Sequence, residues 1–343
     1  MYKVEDDAFV MAANKEKALP DKHQRTINYL RLSVTDRCNL RCVYCMPEEG
    51  MQFIPHREIL TYEEILRIVR LCVANGIRKI RLTGGEPLVR RDILSFIEKL
   101  CKIENLKEVA LTTNGVLLKE MAGDLKRCGV SRINVSMDTL KPEKFNSITR
   151  RNLFDRVWEG IEEAESVGLT PVKLNAVVIR GVNDDEILDF ARLTYKKPYH
   201  VRFIELMPLG EADARMQGFV SSNEILEQIS SLGPVTLEKS ALMSGPAVMY
   251  SLEGAKGKIG FIGALSNHFC NTCNRLRLTA DGALRGCLFS DQETDFKSPL
   301  RAGKDDAYLQ ELIRNTILNK PEGHGLEMKN LRKCVRPMHC IGG

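Results

Sequence analysis

The feature that most constrains this chain is a regular alternation of short apolar strands and amphipathic helices between residues 28 and 208. Candidate strands fall at 28–35, 78–83, 108–113, 132–138, 171–179 and 200–207, with candidate helices near 62–75, 91–103, 118–128, 154–167 and 184–195. Asn75-Gly76, Asn114-Gly115 and Gly168 punctuate them as turn signals. Repeated strand–helix units predict an α/β fold with a parallel sheet, built either as a barrel or as a doubly wound sheet.

The strands themselves favour a barrel. Side chains alternate with period two along a strand, so Leu30, Leu32 and Val34 share one face while Arg31, Ser33 and Thr35 share the other. Ile80 and Leu82 oppose Lys79, Arg81 and Thr83, and Val109 and Leu111 oppose Thr112 and Asn114. Ile133, Val135 and Met137 oppose Asn134, Ser136 and Asp138, and Leu174 and Ala176 oppose Lys173 and Asn175. Strands of a parallel sheet are normally apolar on both faces. An antiparallel sheet with one wet face would also alternate, but helical crossovers after nearly every strand argue against it. The fold expected is therefore a partial, incomplete TIM-type barrel of about six β/α units. Arg31, Arg81, Lys173 and Arg202 would converge inside it, which suits a polyanion such as a triphosphate.

The pattern changes after a helix near 222–232. Short strands at 236–240, 247–252, 258–262 and 275–279 lack regular crossover helices, which predicts a smaller α+β module closing the barrel mouth. The expected division is an N-terminal extension (1–27), the barrel (28–209), the C-terminal module (210–332) and a tail ending Gly-Gly (333–343). A net charge of +5 over 343 residues is too mild for a nucleic-acid binder, and 43% hydrophobic residues exclude disorder. No apolar run reaches the roughly 20 residues that span a bilayer, and the N-terminus lacks a signal-peptide core. A cytoplasmic location follows as the expectation. Thiols stay reduced there, and the eleven cysteines are better read as metal ligands or packing residues than as disulfides.

Six of those cysteines form two triplets. Cys38, Cys42 and Cys45 make a CxxxCxxC directly after the first strand, where barrel loops build catalytic faces. Three thiolates this close fit an iron–sulfur cube with one iron left open. Zinc is the other possibility, although His56 does not complete a zinc spacing. Cys270 and Cys273, followed by Cys287, form the second triplet, which alone fits zinc or iron–sulfur equally and beside the first favours a second cluster. Cys72, Cys101 and Cys128 read as buried packing residues, and Cys334 and Cys340 carry no assigned role. The remaining histidines offer no ligand spacing.

The CxxxCxxC with Tyr44 before its third cysteine resembles the radical S-adenosylmethionine (SAM) superfamily, as does Gly84-Gly85-Glu86-Pro87 after the second strand. Within it, the chain resembles the GTP 3',8-cyclase family of molybdenum-cofactor biosynthesis. The resemblance rests on 30–39, 81–87, 111–115, 134–139, 203–208 and 270–277 and on the terminal Gly342-Gly343. It covers nearly the whole chain from residue 28.

That resemblance implies two [4Fe–4S] clusters, on Cys38, Cys42 and Cys45 and on Cys270, Cys273 and Cys287, and SAM bound near Tyr44, Gly84, Gly85, Glu86, Ser136 and Met207. It implies GTP contacts from Arg31, Arg81, Thr112, Lys173, Arg202, Arg275, Leu276 and Arg277, with Arg277, Gly342 and Gly343 supporting turnover. The implied reaction is that of a lyase. Reductive cleavage of SAM gives a 5'-deoxyadenosyl radical that takes the 3' hydrogen of GTP, and the ribose carbon then bonds to guanine C8. Implied partners are an electron donor such as flavodoxin or ferredoxin and the downstream cyclic pyranopterin monophosphate synthase. No nucleic acid and no membrane are expected, and a homodimer is allowed while the oligomeric state stays open. The alternatives are another two-cluster radical SAM enzyme acting on a peptide, or a non-catalytic iron–sulfur redox protein. The latter would need neither the Gly-Gly-Glu-Pro loop nor the cationic interior.

Overall fold

The computed structural model describes residues 19–47, 51–209, 216–239, 245–326 and 336–342. Strands β1 (Tyr29–Ser33), β2 (Lys79–Thr83), β3 (Glu108–Thr113), β4 (Arg132–Ser136), β5 (Lys173–Val178) and β6 (His200–Glu205) form the parallel wall that the alternation predicts. Helices α1 (Tyr62–Ala74), α2 (Ile93–Cys101), α3 (Leu118–Arg127), α4 (Pro142–Thr149), α5 (Phe154–Ser166) and α6 (Ile187–Lys196) lie among them in the chain. Local chemistry sets their starts. At α1 the Thr61 hydroxyl accepts from the Glu64 amide (3.2 Å) while the Glu64 carboxylate accepts from the Thr61 amide (2.7 Å), a reciprocal cap that satisfies two orphan donors. The short α4 carries no apolar repeat long enough to read from sequence; Pro142 at its first turn starts it.

The C-terminal segment continues the same sheet at both ends. It contains α7 (Ser222–Ser230), β7 (Val235–Leu237), β8 (Val248–Leu252), β9 (Lys258–Ile262), β10 (Arg275–Leu278), β11 (Ala283–Arg285), β12 (Thr294–Asp295), α8 (Lys297–Arg301), α9 (Asp306–Leu318) and α10 (Met338–Ile341). The strand order is β12-β11-β10-β1-β2-β3-β4-β5-β6-β9-β8-β7. Strand β10 pairs parallel with β1, and β9 parallel with β6, so the barrel wall gains one parallel strand on each side before antiparallel hairpins finish it. Among the described residues β12 and β7 do not pair, and the barrel stays open. Helix α9, absent from the sequence reading, starts on Asp305, whose side chain accepts from the Tyr308 amide at 2.9 Å. Ion pairs Arg67–Asp306 (2.7 Å) and Arg301–Glu64 (2.7 Å) bind this region onto α1. No helix among the described residues is long and apolar enough to cross a membrane.

The apolar face of every wall strand is spent on the helix layer. Leu30, Leu32, Ile80, Leu82, Leu111, Ile133 and Val135 are fully buried in one continuous core. A second core joins Val201, Phe203, Ile259 and Phe261 to α6 and α7. Pleating then leaves the other face of the same strands pointing into the barrel.

Glu205, at the end of β6, ties three segments together. Its Oε1 accepts from the Ser222 amide and hydroxyl, both at 2.9 Å, and its Oε2 from the amides of Leu265 (2.9 Å) and Ser266 (3.1 Å). Removing this buried acceptor strands several donors at once. Glu205→Ala is expected to lower stability by about 3 kcal/mol, and Glu205→Gln by less, because one acceptor oxygen remains. Anaerobic urea unfolding checks this, and an Ala variant with an unchanged midpoint would contradict it.

Candidate active site

The inward face of the wall encloses a cavity of about 550 Å3. Its floor is built from the N-terminal halves of the strands, where register sets Arg31 beside both Arg81 and Arg277, and Asn175 beside Arg202. Arg81, Lys173, Arg202 and Arg277 are buried, and Arg31 is half-buried. Thr112 lines the same space, 3.5 Å from an Arg81 nitrogen. Tyr29, Lys79, Glu108, Arg132, His200 and Lys258 join this floor, none of which the sequence reading placed in the site. Lys79 stood on the polar face in that reading. Arg132 and His200 sit at strand starts, and Lys258 arrives from a strand whose neighbour only the tertiary fold reveals.

Negative charge is scarce on this floor. Glu108 pairs with Lys79 (3.0 Å) and sits 3.6 Å from Arg132, and Glu238 pairs with Lys258 (2.8 Å). Arg31 and Arg202 each bury an Nε without a hydrogen-bond partner. The ionisation of the floor residues is shifted accordingly. Burial, reinforced by Arg202, Arg132, Arg81 and Lys79, brings the Lys173 ammonium down to about 6. Burial and then Arg81 bring Arg202 down to about 9, and burial with Lys173 and Arg202 brings His200 down to about 4. Burial pushes the Tyr29 phenol upward, yet Arg81, Arg31 and Lys79 together outweigh it and leave it at about 8. A floor of this kind is complementary to a compact polyanion.

The first triplet occupies the loop after β1. The Gly-Gly-Glu-Pro loop after β2 lies against it backbone to backbone, with the Gly85 amide donating to Thr35 O and the Glu86 amide to Arg37 O, each at 2.8 Å. A Cβ on Gly84 would sit 2.6 Å from Thr35 O, and one on Gly85 2.5 Å from Arg37 O, so only glycine permits this approach. Gly84, Gly85, Tyr44, Ser136 and Met207 line the cavity near Cys38, Cys42 and Cys45. Burial raises the Cys42 thiol, and Asp138, Cys45 and Cys38 raise it further, so these groups lie within reach of one another's charge. The Cys38 sulfur accepts from the Leu40 amide (3.4 Å) and from Asn114 (3.6 Å). The Tyr44 hydroxyl donates to Asp138 (2.6 Å), whose other oxygen accepts from the Val177 amide (2.8 Å).

Glu86 takes a different position from the one its motif implies. It is 1% exposed and outside the cavity lining. Its oxygens accept from the Leu88 amide (3.0 Å), the Thr113 hydroxyl (2.9 Å) and the Asn114 amide (2.6 Å). Burial lifts its carboxyl to about 7 against those bonds. Its side chain joins the β2 and β3 loops rather than facing a cofactor. Leu276 likewise departs from the expectation: the pleat that sends Arg275 and Arg277 inward sends the Leu276 side chain into the helix-covered core, where it is fully buried.

The second triplet sits across the cavity, on a single helical turn before β10 and just after β11. Cys273 and Cys287 line the same space as the first triplet, and Cys270, three residues before Cys273, is not among the lining residues. Burial raises the Cys273 thiol, but Arg275 and Lys320 outweigh it and bring the thiol down to about 6, with Arg275 donating to its sulfur at 3.6 Å. Two histidines that sequence spacing gave no role meet Cys270: His268 and His324 contact each other at 2.7 Å. Among the described residues His268, Cys270 and His324 form the one group of three whose ligand atoms all lie within 4.8 Å. A zinc ion on thiolates needs sulfurs about 3.8 Å apart. Among the described residues neither cysteine triplet has all three sulfurs within 4.8 Å of one another, so neither is gathered as a bound zinc would require.

The tail reaches this cavity. Met338 and His339 line it, and the Gly342 carbonyl accepts from Arg277 at 2.8 Å. A Cβ on Gly342 would fall 2.3 Å from the Thr83 hydroxyl. Gly343 and Cys334 lie outside the described residues. Cys340 contacts His339 (3.1 Å) and lines no part of the cavity.

With this geometry in hand, comparison with known proteins is direct. A family model described as the Radical SAM superfamily matches residues 32–194, and one described as Molybdenum Cofactor Synthesis C matches residues 199–326. The GTP 3',8-cyclase of Thermodesulfovibrio yellowstonii is 52% identical over 330 residues, 95% of this chain and 100% of that protein. That of Heliobacterium modesticaldum is 49% identical over 94% of this chain and 99% of its own length. Among solved structures, Streptococcus suis SuiB bound to S-adenosylmethionine superposes with a TM-score of 0.57 at 16% identity, covering 85% of this chain and 69% of that one, a likeness of fold. The chain belongs to the GTP 3',8-cyclase family, within the radical SAM superfamily.

Proposed function

We propose that this chain converts GTP to (8S)-3',8-cyclo-7,8-dihydroguanosine 5'-triphosphate, the first step of molybdopterin synthesis, as its relatives' name indicates. The observation that carries the reading is one cavity lined by cysteines of both triplets and by a floor of arginines and lysines that outnumber their carboxylate partners. A peptide substrate would have no use for so many buried positive charges.

In this reading Cys38, Cys42 and Cys45 hold the SAM-binding cluster and Cys270, Cys273 and Cys287 the second one. When bound, the reduced first cluster and SAM supply the 5'-deoxyadenosyl radical. The protein's own residues hold and orient. Ser136, Met207, Tyr44 and the Gly84-Gly85 backbone flank the SAM end. Arg31, Arg81, Lys173 and Arg202, with Thr112, receive the triphosphate, and Lys79 and Arg132 extend that floor. Arg275 and Arg277 stand between the floor and the second triplet, turning the guanine toward it. Arg277 carries donors suited to hydrogen-bonding the product. Residues 28–209 supply the SAM half and 210–332 the second-cluster half. A flavodoxin or ferredoxin delivers electrons, and the cyclic pyranopterin monophosphate synthase takes the product.

Two experiments test the reading. Reconstituted anaerobically, the protein is expected to bind about eight irons per chain as two cubes and to form 5'-deoxyadenosine and cyclised product from SAM, GTP and dithionite. Cys38→Ala is expected to abolish both products; Cys287→Ala is expected to lose cyclisation with an intact first cluster. Formation of 5'-deoxyadenosine without any cyclised GTP would overturn the substrate assignment. The second concerns protons. Lys173 is held at about 6 in the ligand-free protein, and a bound polyanion restores counter-charge and raises that value. GTP binding at pH 7.5 is therefore expected to take up about half to one proton, and affinity to fall as pH rises from about 6.5 to 8. Calorimetry in buffers of different ionisation enthalpy measures this, and proton release would contradict it.

A further inference from the structure

Residues 336–342 are attached to one hairpin at both ends. Arg336 Nη1 donates to both Asp281 carboxylate oxygens, at 2.9 and 3.0 Å, and its Nη2 reaches Glu293 at 2.9 Å. Asp281 lies in the turn between β10 and β11 and also accepts from the Thr279 hydroxyl (2.5 Å). Glu293 is shared with the fully buried Arg285. Six residues on, the Gly342 carbonyl accepts from Arg277, on strand β10 of that hairpin. Between the two attachments Ile341 is fully buried with Leu209, next to Met207, Leu288, Phe289 and Met338. The path therefore closes on itself: Arg277 leads along β10 to Asp281, across to Arg336, and through α10 back to Arg277.

We propose that Arg336, with Asp281 and Glu293, is a positioning latch that fixes the register of the tail, so that the Gly342 carbonyl holds Arg277 in its working orientation. This rests on the cyclase reading for what Arg277 does, and on geometry alone for the latch. Side-chain exposures of 28%, 22% and 21% for Arg336, Asp281 and Glu293 make these sheltered ion pairs rather than surface ones. A guanidinium engaging two carboxylates from separate segments fixes orientation as well as distance, which a point charge does not. Apolar contacts of Ile341 set how deep the tail enters. They are not directional; a slip by one residue either way would remove the Gly342 carbonyl from Arg277, and one that brought Ile341 to the place of Gly342 would press its side chain against Thr83, where a Cβ has no room.

The test uses the full, two-cluster protein with Arg336→Gln, Asp281→Asn and Arg336→Lys. Hydrogen–deuterium exchange over residues 336–342, without GTP, is expected to speed up at least fivefold in Arg336→Gln and Asp281→Asn, with Arg336→Lys between them and the unaltered protein. In turnover, kcat is expected to fall about tenfold in Arg336→Gln with the KM for SAM and GTP unchanged within twofold and the iron content and Tm unchanged; Arg336→Lys recovers at least part of kcat. Unchanged exchange, or accelerated exchange with unaltered kcat, would overturn the latch. A fall in Tm and iron content in step with kcat, in every variant, would also overturn it in favour of a merely structural role. If the unaltered protein yields no cyclised GTP, the cyclase reading fails separately, and the exchange result decides whether the latch exists.

Discussion

Uncompensated positive charge inside the barrel is the constraint on which the rest of this structure depends. Burying a cation without a partner is expensive, and a barrel that only had to be stable would fill its interior with apolar layers. Here Arg202 and Arg31 each bury an unpartnered Nε, and Lys173 is brought down to about 6. The expense is tolerable because the opposite face of the wall strands is largely apolar and packed under helices. Hairpins from the C-terminal segment finish the wall and add Arg275, Arg277 and Lys258 to the same interior, which deepens the imbalance. An interior of this kind is complementary to a polyanion that supplies the missing charge.

Much of this was legible in the sequence, for a physical reason. Period-two alternation separates core from cavity whatever the tertiary detail, so Arg31, Arg81, Lys173 and Arg202 were identifiable as convergent before any fold was known. Six parallel strands followed from the same pattern. Where the reading fell short, contiguity had been taken for proximity. Arg275-Leu276-Arg277 read as one motif, although the pleat must send its middle side chain the other way. Glu86 read as a cofactor contact with the two glycines before it, while its carboxylate is consumed by Leu88, Thr113 and Asn114. His268 and His324 lie 56 residues apart, and no local spacing announces that they meet beside Cys270. Lys258 belongs to a strand whose parallel partner β6 is fixed only by the assembled sheet.

The two halves of the chain also depend on each other. Strand β10 carries inward arginines because it pairs with β1, and the hairpin it begins carries both Cys287 and the turn that receives the tail. The loops of both cysteine triplets, the cationic floor and the residues that receive the tail are therefore assembled on a single continuous sheet. Distances between the reacting partners are then set by backbone register, which is stiff, rather than by side-chain choice.

The central claim is that the cavity holds the ribose of GTP where the SAM-derived radical forms. GTP deuterated at the ribose 3' position measures this directly. The account expects deuterium to appear in the 5'-deoxyadenosine recovered from anaerobic turnover. Recovery of 5'-deoxyadenosine free of deuterium, from protein carrying both clusters, would contradict it.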